Sequence, residues 1–330
     1  MLMQKNKNSV ASFTAADNYP IKLFQNHRII KSIVEDKIVP LAHVQLIPTN
    51  KCNLHCSFCS CSADDRDSEM SLEKLTETIT VLKLMEVEAV TITGGGEPLL
   101  YPSIYSLIDL LHLNGIKIGL VTNGLLLPKQ PDEMLQKITW CRISQGDDRE
   151  DWSDGILKRL ESKFTANKSV DWAFSYVVSK TPNYEKIQWL YNFANQNNFT
   201  HMRLVADLLE PLQVPMLNLR AQIKSANTPL IFQERTDPEH GHNCRVCYLR
   251  PVITPDQKVY ACCGAQYAFE TPSRNFPESL CLGDVKQLPE IIKNSSEPFP
   301  GGEKCTRCYY GNYNRTLDML FTELNHKEFV

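Results

Sequence analysis

The sequence predicts an α/β protein, a partial (β/α)6 TIM-like barrel followed by a small cysteine-rich C-terminal domain. Between residues 43 and 206, six short apolar runs alternate with longer segments of helical periodicity. This alternation implies right-handed crossovers and a parallel sheet. After about residue 240 the helical periodicity ends, and prolines, glycines and paired cysteines follow. Six units are two short of a closed barrel. An open doubly wound sheet is the structural alternative.

Short runs rich in apolar and β-branched residues predict the six strands. They are HVQLIP (43–48), AVTIT (89–93), KIGLVT (117–122), ITWCRIS (138–144), WAFSYVVS (172–179) and HMRLVA (201–206). Helical spacing predicts one helix capped by Ser71, one with Pro102 in its first turn and Gly115 as terminator, and one within 182–198. Residues 1–40 suggest a polar tail and one short helix, and VITPDQKVYA (252–261) suggests a hairpin. The predicted divisions are an N-terminal extension (1–42), a core barrel (43–240) and a C-terminal domain (241–330).

The composition is ordinary for a soluble globular protein, with 42% hydrophobic and 22% charged residues and a formal net charge of −3. Because there is no basic surplus, no nucleic-acid partner is expected. The sequence contains neither a signal-peptide core nor an apolar run of the roughly 18–20 residues that span a bilayer. We therefore expect a cytoplasmic protein without a membrane partner.

Twelve cysteines are many for a cytoplasmic chain. A reducing compartment disfavours structural disulfides, so clustered cysteines there indicate metal binding or redox chemistry. Cys141 stands alone and is predicted to be a small buried hydrophobe. The others form a front group and a rear group: Cys52, Cys56, Cys59 and Cys61; then Cys244, Cys247, Cys262, Cys263, Cys281, Cys305 and Cys308.

The front group directly follows the first predicted strand. Thiolates suit zinc, copper(I) or iron–sulfur clusters. A structural zinc site takes four protein ligands, whereas three cysteines suit a four-iron cluster with one iron left for another ligand. Cys61 is too close to Cys59 to share the cluster without strain, and we interpret it as a bystander. GGGEP (94–98), Asn123 and Ser144 end the next three strands, so all of these residues are predicted at one edge of the sheet.

CNLHCSFC (52–59) resembles the C-x3-C-x2-C signature of the radical SAM superfamily, including an aromatic residue, Phe58, before the third cysteine. The resemblance implies that Cys52, Cys56 and Cys59 hold a [4Fe-4S] cluster whose fourth iron is chelated by S-adenosylmethionine (SAM). It also implies a set of cofactor-binding residues: Phe58, Gly94, Gly95, Gly96, Glu97, Asn123 and Ser144. Glycines would let the backbone approach the cofactor.

The activity that this resemblance implies is reductive cleavage of SAM to a 5′-deoxyadenosyl radical, which abstracts a hydrogen atom from the substrate. The electron would come from a donor such as flavodoxin or ferredoxin. No catalytic side chain is assigned beyond the cluster. Arg203 on the sixth strand is a candidate substrate contact, with His201 and Asp207 as further candidates. The N-terminal extension is short for a leader-binding domain, which favours a small molecule or an unaided peptide as substrate.

The rear group resembles the SPASM and twitch domains of radical SAM enzymes. Because no cysteine follows Cys308, the shorter twitch form with one auxiliary [4Fe-4S] cluster is favoured. PDQKVYACC places Gln257 where such domains have glycine, which leaves the turn geometry open. Cys263 and Cys281 remain spare. The candidate ligands are one too many for a cluster: Cys244, Cys247, Cys262, Cys305 and Cys308.

Three hypotheses for function follow from the two cysteine groups. The first is a radical SAM oxidoreductase or maturase, which oxidises or cross-links its substrate with help from the auxiliary cluster. The second is a modification enzyme whose auxiliary cluster anchors the substrate through an open iron, as in the molybdopterin-precursor enzyme. The third is a non-enzymatic zinc or iron–sulfur interaction protein, with zinc held by the two C-x2-C pairs.

Overall fold

The computed structural model describes residues 21–59, 61, 65–147, 149, 154–208, 214–234, 243–271, 273, 275–323 and 325. The predicted polar tail before residue 21 lies outside these residues. The helices are α1 Ile21–Phe24, α2 His27–Glu35, α3 Leu72–Leu84, α4 Ile104–Leu113, α5 Asp132–Leu135, α6 Asp154–Ala166, α7 Tyr184–Gln196, α8 Met216–Gln222, α9 Val246–Leu249, α10 Leu288–Lys293 and α11 Gly311–Phe321. The strands are β1 His43–Leu46, β2 Ala89–Ile92, β3 Lys117–Thr122, β4 Trp140–Gly146, β5 Asp171–Val178, β6 His201–Ala206, β7 Leu230–Gln233, β8 Val252–Ile253, β9 Lys258–Tyr260 and β10 Cys281–Asp284.

Within the described residues, the strands form one sheet in the order β10-β9-β8-β1-β2-β3-β4-β5-β6-β7. Strands β1 to β7 are parallel and follow one another in chain order. Right-handed crossovers between sequential parallel strands place every connecting helix on the same face. A doubly wound sheet would reverse its strand order and carry helices on both faces. The barrel-type fold is therefore confirmed, and we call the face without connecting helices the inner face.

All six predicted strands are present, and β7 is a seventh that the sequence did not reveal. The predicted helices are also confirmed. Ser71 Oγ accepts a hydrogen bond from Lys74 N (3.2 Å) and caps α3, and the Asn183 side chain caps α7 in the same way. Helix α4 begins at Ile104, so Pro102 precedes the helix rather than lying in its first turn. Gly115, with φ of 72°, follows α4 in the left-handed conformation that ends helices.

The rear cysteine region extends the same sheet. Strand β8 is parallel to β1, with Gln45 N donating to Pro251 O (3.0 Å) and Ile47 N to Ile253 O (2.8 Å). Strands β8 and β9 form the predicted antiparallel hairpin, and β10 adds to β9. The predicted boundary at 240/241 falls within residues 235–242, outside the described residues, so the division into domains stays a prediction.

Gln257 shows how the hairpin turn works without glycine. Its φ is 70°, the left-handed region that glycine adopts at little cost. Its side-chain amide contacts three acceptors on α3: Lys74 O (3.2 Å), Glu77 Oε2 (2.9 Å) and Thr78 Oγ1 (3.3 Å). The hydrogen bonds from the Gln257 side chain to α3 therefore offset the strain of its backbone and connect the hairpin to that helix. No helix among the described residues is long and apolar enough to cross a membrane.

Candidate active site

The cysteine triplet lies on the loop after β1 and is only partly buried. The loop is fastened to the ends of β3 and β4. Asn123 Nδ2, just beyond β3, donates to Asn53 Oδ1 (2.7 Å). The Phe58 ring packs on Gly146 at the end of β4, where any Cβ would lie 2.1 Å from Phe58 Cε1. Phe58 therefore sets the position of the triplet by direct contact with the sheet.

The glycines of GGGEP pack against the residues that precede Cys52. Gly96 N donates to Thr49 O (3.0 Å), and Glu97 N donates to Lys51 O (2.8 Å). A Cβ on Gly96 would lie 2.0 Å from Lys51 O. The close approach of two backbone segments therefore requires glycine here, independently of the approach to a cofactor that the sequence suggests.

The Glu97 side chain is 2% exposed and joins the ends of β2 and β3. Its Oε1 accepts from Leu99 N (3.0 Å) and Thr122 Oγ1 (2.6 Å), and its Oε2 accepts from Asn123 N (2.7 Å). Burial raises the pKa of this carboxyl, whereas these hydrogen bonds act in the opposite direction. Glu97 therefore stabilises the edge of the sheet on which the predicted cofactor residues lie.

Arg149 is a residue of this edge that the sequence did not reveal. It is 4% exposed, and its guanidinium donates to Ser144 O (2.8 Å) and Asn123 O (3.3 Å). Lys186 of α7 donates to Gly146 O (2.7 Å) and to Arg149 O. Because the acceptors are backbone carbonyls that meet only in the folded chain, no side-chain pattern in the sequence indicates this role.

The structure also brings Arg203 next to the edge of the sheet where GGGEP (94–98), Asn123 and Ser144 lie at the strand ends. We call this edge, where SAM is predicted to bind, the SAM edge. Ser144, Ser175 and Arg203 occupy one row across β4, β5 and β6. The Arg203 guanidinium donates to Ser175 Oγ through Nε (3.3 Å) and Nη2 (2.8 Å). Arg142 and His201 occupy the next row, through Ala173. Arg203, proposed as a substrate contact, thus lies on the same row as the proposed cofactor residue Ser144.

Part of the rear group lines a cleft that offers about 30 Å³ of water-accessible space. Four of the five candidate ligands line it: Cys244, Cys262, Cys305 and Cys308. Cys247 is fully buried beside Cys244, and its thiol donates to Cys244 O (3.2 Å). Burial, together with the neighbouring Cys244 and Cys262 thiols, raises the pKa of Cys247. Cys281 begins β10, and the Cys263 thiol shares a hydrogen bond with the Tyr310 hydroxyl (2.9 Å). The cleft therefore distinguishes four thiols from the three remaining ones.

Backbone contacts hold the walls of this cleft. Phe299 N donates to Cys244 O (3.0 Å), and Thr306 N donates to Ala268 O (2.7 Å). Asn314 Oδ1 accepts from the N–H groups of Arg245 and Val246, both at 2.9 Å. Burial, aided by the neighbouring thiols Cys244 and Cys308, raises the pKa of Cys305 to about 12. Binding a metal centre would thus release a proton from this thiol.

The thiolate donors of the rear group fit an iron–sulfur cluster. Within the described residues, no three His, Cys, Asp or Glu side chains converge closely enough to hold one metal ion. A zinc site needs four ligands at about 2.0–2.3 Å from one ion. Four thiols around a cleft suit a larger, thiolate-bound group. The lone Cys141 is buried on β4, as predicted, and takes no part in either group.

Comparison with known proteins gives a family match over the part of the chain that contains the front cysteines. Residues 46–163 match the family described as the Radical SAM superfamily. The chain carries a radical SAM domain. This domain implies a [4Fe-4S] cluster and SAM, in agreement with the cofactors predicted from the triplet.

Two curated relatives are GTP 3′,8-cyclases. The protein from Staphylococcus epidermidis is 34% identical over 118 residues, which cover 32% of this chain and 34% of that protein. The probable GTP 3′,8-cyclase from Archaeoglobus fulgidus is 26% identical over 193 residues, covering 53% of this chain and 62% of that one. The chain thus spans about a third of the length of the first relative and less than two thirds of the second.

Among solved structures, SuiB from Streptococcus suis, bound to the precursor peptide SuiA, superposes with a TM-score of 0.58 at 18% identity. The match covers 83% of this chain and 70% of SuiB. At this identity the likeness shows the fold alone, a mixed α/β fold with a parallel-strand sheet and a cysteine-rich C-terminal region.

Proposed function

We propose that the chain is a radical SAM enzyme that abstracts hydrogen from a small-molecule or peptide substrate, with the auxiliary cluster assisting a net oxidation or cross-link. The observation that carries this proposal is the triplet loop, fastened to strand ends β3 and β4 within the radical SAM domain. When bound, the cluster and SAM supply a 5′-deoxyadenosyl radical. The electron comes from a donor such as flavodoxin or ferredoxin, and the compartment is the cytoplasm.

The chain's own residues hold and shield this centre. Cys52, Cys56 and Cys59 are the proposed cluster ligands, with Cys61 outside the set. The proposed contacts to SAM are Phe58, Gly94, Gly95, Gly96, Glu97, Asn123 and Ser144. Because Glu97 and Arg149 join neighbouring strand ends, they keep these contacts in fixed positions. The inner face keeps water from the reacting atoms.

The proposed ligands of the auxiliary cluster are the four cysteines that line the rear cleft, Cys244, Cys262, Cys305 and Cys308. We prefer this set because its four thiols line the cleft, whereas the Cys247 thiol, which lies beside Cys244, donates to a backbone carbonyl. Four thiolates would complete the cluster and leave no iron open. A fully ligated cluster suits an electron acceptor rather than a substrate anchor.

A substrate-anchoring cluster is the second candidate function, and the similarity to GTP 3′,8-cyclases favours it. Spectroscopy of the auxiliary cluster separates the two functions. If the four cysteines are all ligands, its electron paramagnetic resonance signal stays unchanged when GTP or a candidate peptide is added. A shifted signal would indicate an open iron and contradict the fourfold ligation.

The proposed function is tested by anaerobic reconstitution. Two four-iron clusters give about eight irons per chain, and SAM with a strong reductant should release 5′-deoxyadenosine.

Cys56→Ala is expected to abolish this release, whereas Cys61→Ala is expected to retain it. Equal loss in both variants would show that the triplet assignment is wrong. Four irons with zinc in the rear cleft would exclude the auxiliary cluster.

The rear ligands are tested with Cys305→Ser and Cys247→Ser. We expect Cys305→Ser to lose the auxiliary cluster and Cys247→Ser to keep it, while both still cleave SAM at the front site. Retained cleavage shows that each variant is folded. If Cys247→Ser loses the auxiliary cluster and Cys305→Ser does not, the ligand set from the cleft is wrong.

A further inference from the structure

Positive side chains gather on the inner face below the SAM edge. Arg142 lies on β4 two residues before Ser144, and its guanidinium stacks on the Trp140 ring at 4.9 Å from the centroid. Arg250 lies between α9 and β8, with its guanidinium 5.2 Å from the centroid of Tyr310. Lys22 comes from α1, and both arginines act on its ammonium group electrostatically. Three elements distant in sequence therefore bring cations together.

None of these three cations has a carboxylate partner among the described residues. The titratable groups that act on Arg250 are phenols and thiols, Tyr310 and Cys263 first among them. Arg142 and Arg250 are half-buried and Lys22 is exposed. A partly buried charge without a partner loses part of its hydration without compensation. The chain does not lack acids, since it has 38 Asp and Glu residues against 35 Lys and Arg.

Two further observations indicate that the space between these cations takes a ligand. Arg142 Nε is buried and has no hydrogen-bond partner. The aromatic rings hold the guanidinium groups by their flat faces, which leaves the N–H edges to act as donors. The position is also suitable, since Arg142 lies one row below Ser144 and Arg250 lies beside the Tyr310 that lines the rear cleft.

We propose that Lys22, Arg142 and Arg250 form an anion site on the inner face, which binds a phosphate or carboxylate group of the substrate. This inference rests on the proposed function, because it names the substrate class of the same site. Guanidinium groups bind phosphate and carboxylate oxygens in bidentate geometry, and a lysine adds a point charge. The substrate is then an anionic small molecule.

The test is anaerobic calorimetric titration of the reconstituted protein with inorganic phosphate and with malonate, with and without saturating SAM. Arg142→Gln and Lys22→Gln should each weaken binding by about tenfold or more, since each removes one charged contact. Arg159→Gln and Lys83→Gln, the same changes at exposed helix positions, should change it less than about twofold. Binding of phosphate alone assigns a phosphate group, and binding of malonate alone assigns a carboxylate.

Three results would overturn the inference. They are the absence of binding of both anions, equal binding by Arg142→Gln and the unchanged protein, and competition between the anion and SAM. Loss of iron in Arg142→Gln, with anion affinity unchanged, would show instead that these cations balance the charge of the clusters. Release of 5′-deoxyadenosine is measured in parallel, so that failure of the proposed function and failure of the anion site are distinguished.

Discussion

At the scale of single residues, the contact between Phe58 and Gly146 connects the cysteine loop to the sheet. The glycine has no conformational reason to be there, because it lies in a regular strand. Its reason is steric, since the Phe58 ring occupies the place of a side chain. The aromatic residue before the third cysteine is thus explained by packing on β4.

We predict that Gly146→Ala displaces Phe58 and weakens the front cluster. A Cβ at this position would lie 2.1 Å from the ring, so the ring and the loop that carries it must move. The measured results should be fewer irons per chain and slower release of 5′-deoxyadenosine. In the Phe58→Ala background, Gly146→Ala should cause little further loss of either, because the overlapping ring is absent. Losses that simply add in the double variant would contradict the steric explanation.

At the scale of elements, the β8–β9 hairpin is stabilised from outside by α3. Gln257 has the left-handed backbone that costs a non-glycine residue about 1 kcal/mol, and the hydrogen bonds of its amide to α3 contribute a similar amount.

We predict that Gln257→Gly loses the hydrogen bonds and the backbone strain together. The free energy of unfolding of this variant should therefore stay within about 1 kcal/mol of the unchanged protein. Gln257→Ala keeps the strain and should cost about 1–2 kcal/mol. Denaturant unfolding measures the difference, and an alanine variant as stable as the glycine variant would contradict it.

The sequence predicted the elements whose side chains follow a clear period and missed those that depend on tertiary contacts. Six strands and three helices agree with the structure because their apolar residues recur at the spacing of a strand or a helix. Strand β7 was missed, although it is as long as β1 and β2. The SAM edge was predictable because parallel strands end together.

Other functional features had no local signal. Arg149 binds backbone carbonyls, and the cations of the inner face come from three separate elements. Arg142 in a strand is indistinguishable in sequence from a residue on a solvated face. The four proposed ligands could be chosen from the five rear candidates only once the residues that line the cleft were known. Spacing alone favours Cys244 and Cys247 equally.

At the scale of the whole molecule, the positive inner face affects the response to acid. Burial first, and then the nearby positive charges, lower the pKa of His43 and of His201 to about 3. In the unfolded chain the same groups take up a proton near pH 6.5. Between these values the unfolded state binds more protons than the folded state, so the free energy of unfolding falls as the pH falls below 6.5.

We predict that lowering the pH from 7 to 5 destabilises the protein and that the double variant His43→Gln/His201→Gln loses less stability over this range. Each histidine contributes up to about 1.4 kcal/mol per pH unit below 6.5, so the difference should be about 2–4 kcal/mol. Anaerobic urea unfolding at both pH values measures it. Equal slopes for the double variant would contradict the prediction.

The pairing of β1 with β8 also has a consequence for synthesis on the ribosome. The strand that leads into Cys52 forms its outer hydrogen bonds with residues 251 and 253, and Ala42 N donates to Leu249 O. Chains emerge from the N-terminus, so this edge stays unpaired until residue 253 has left the ribosome. An open strand edge is a template for aggregation. A nascent chain that ends before that point therefore exposes the strand beside the triplet and yields an aggregation-prone fragment rather than a shortened enzyme.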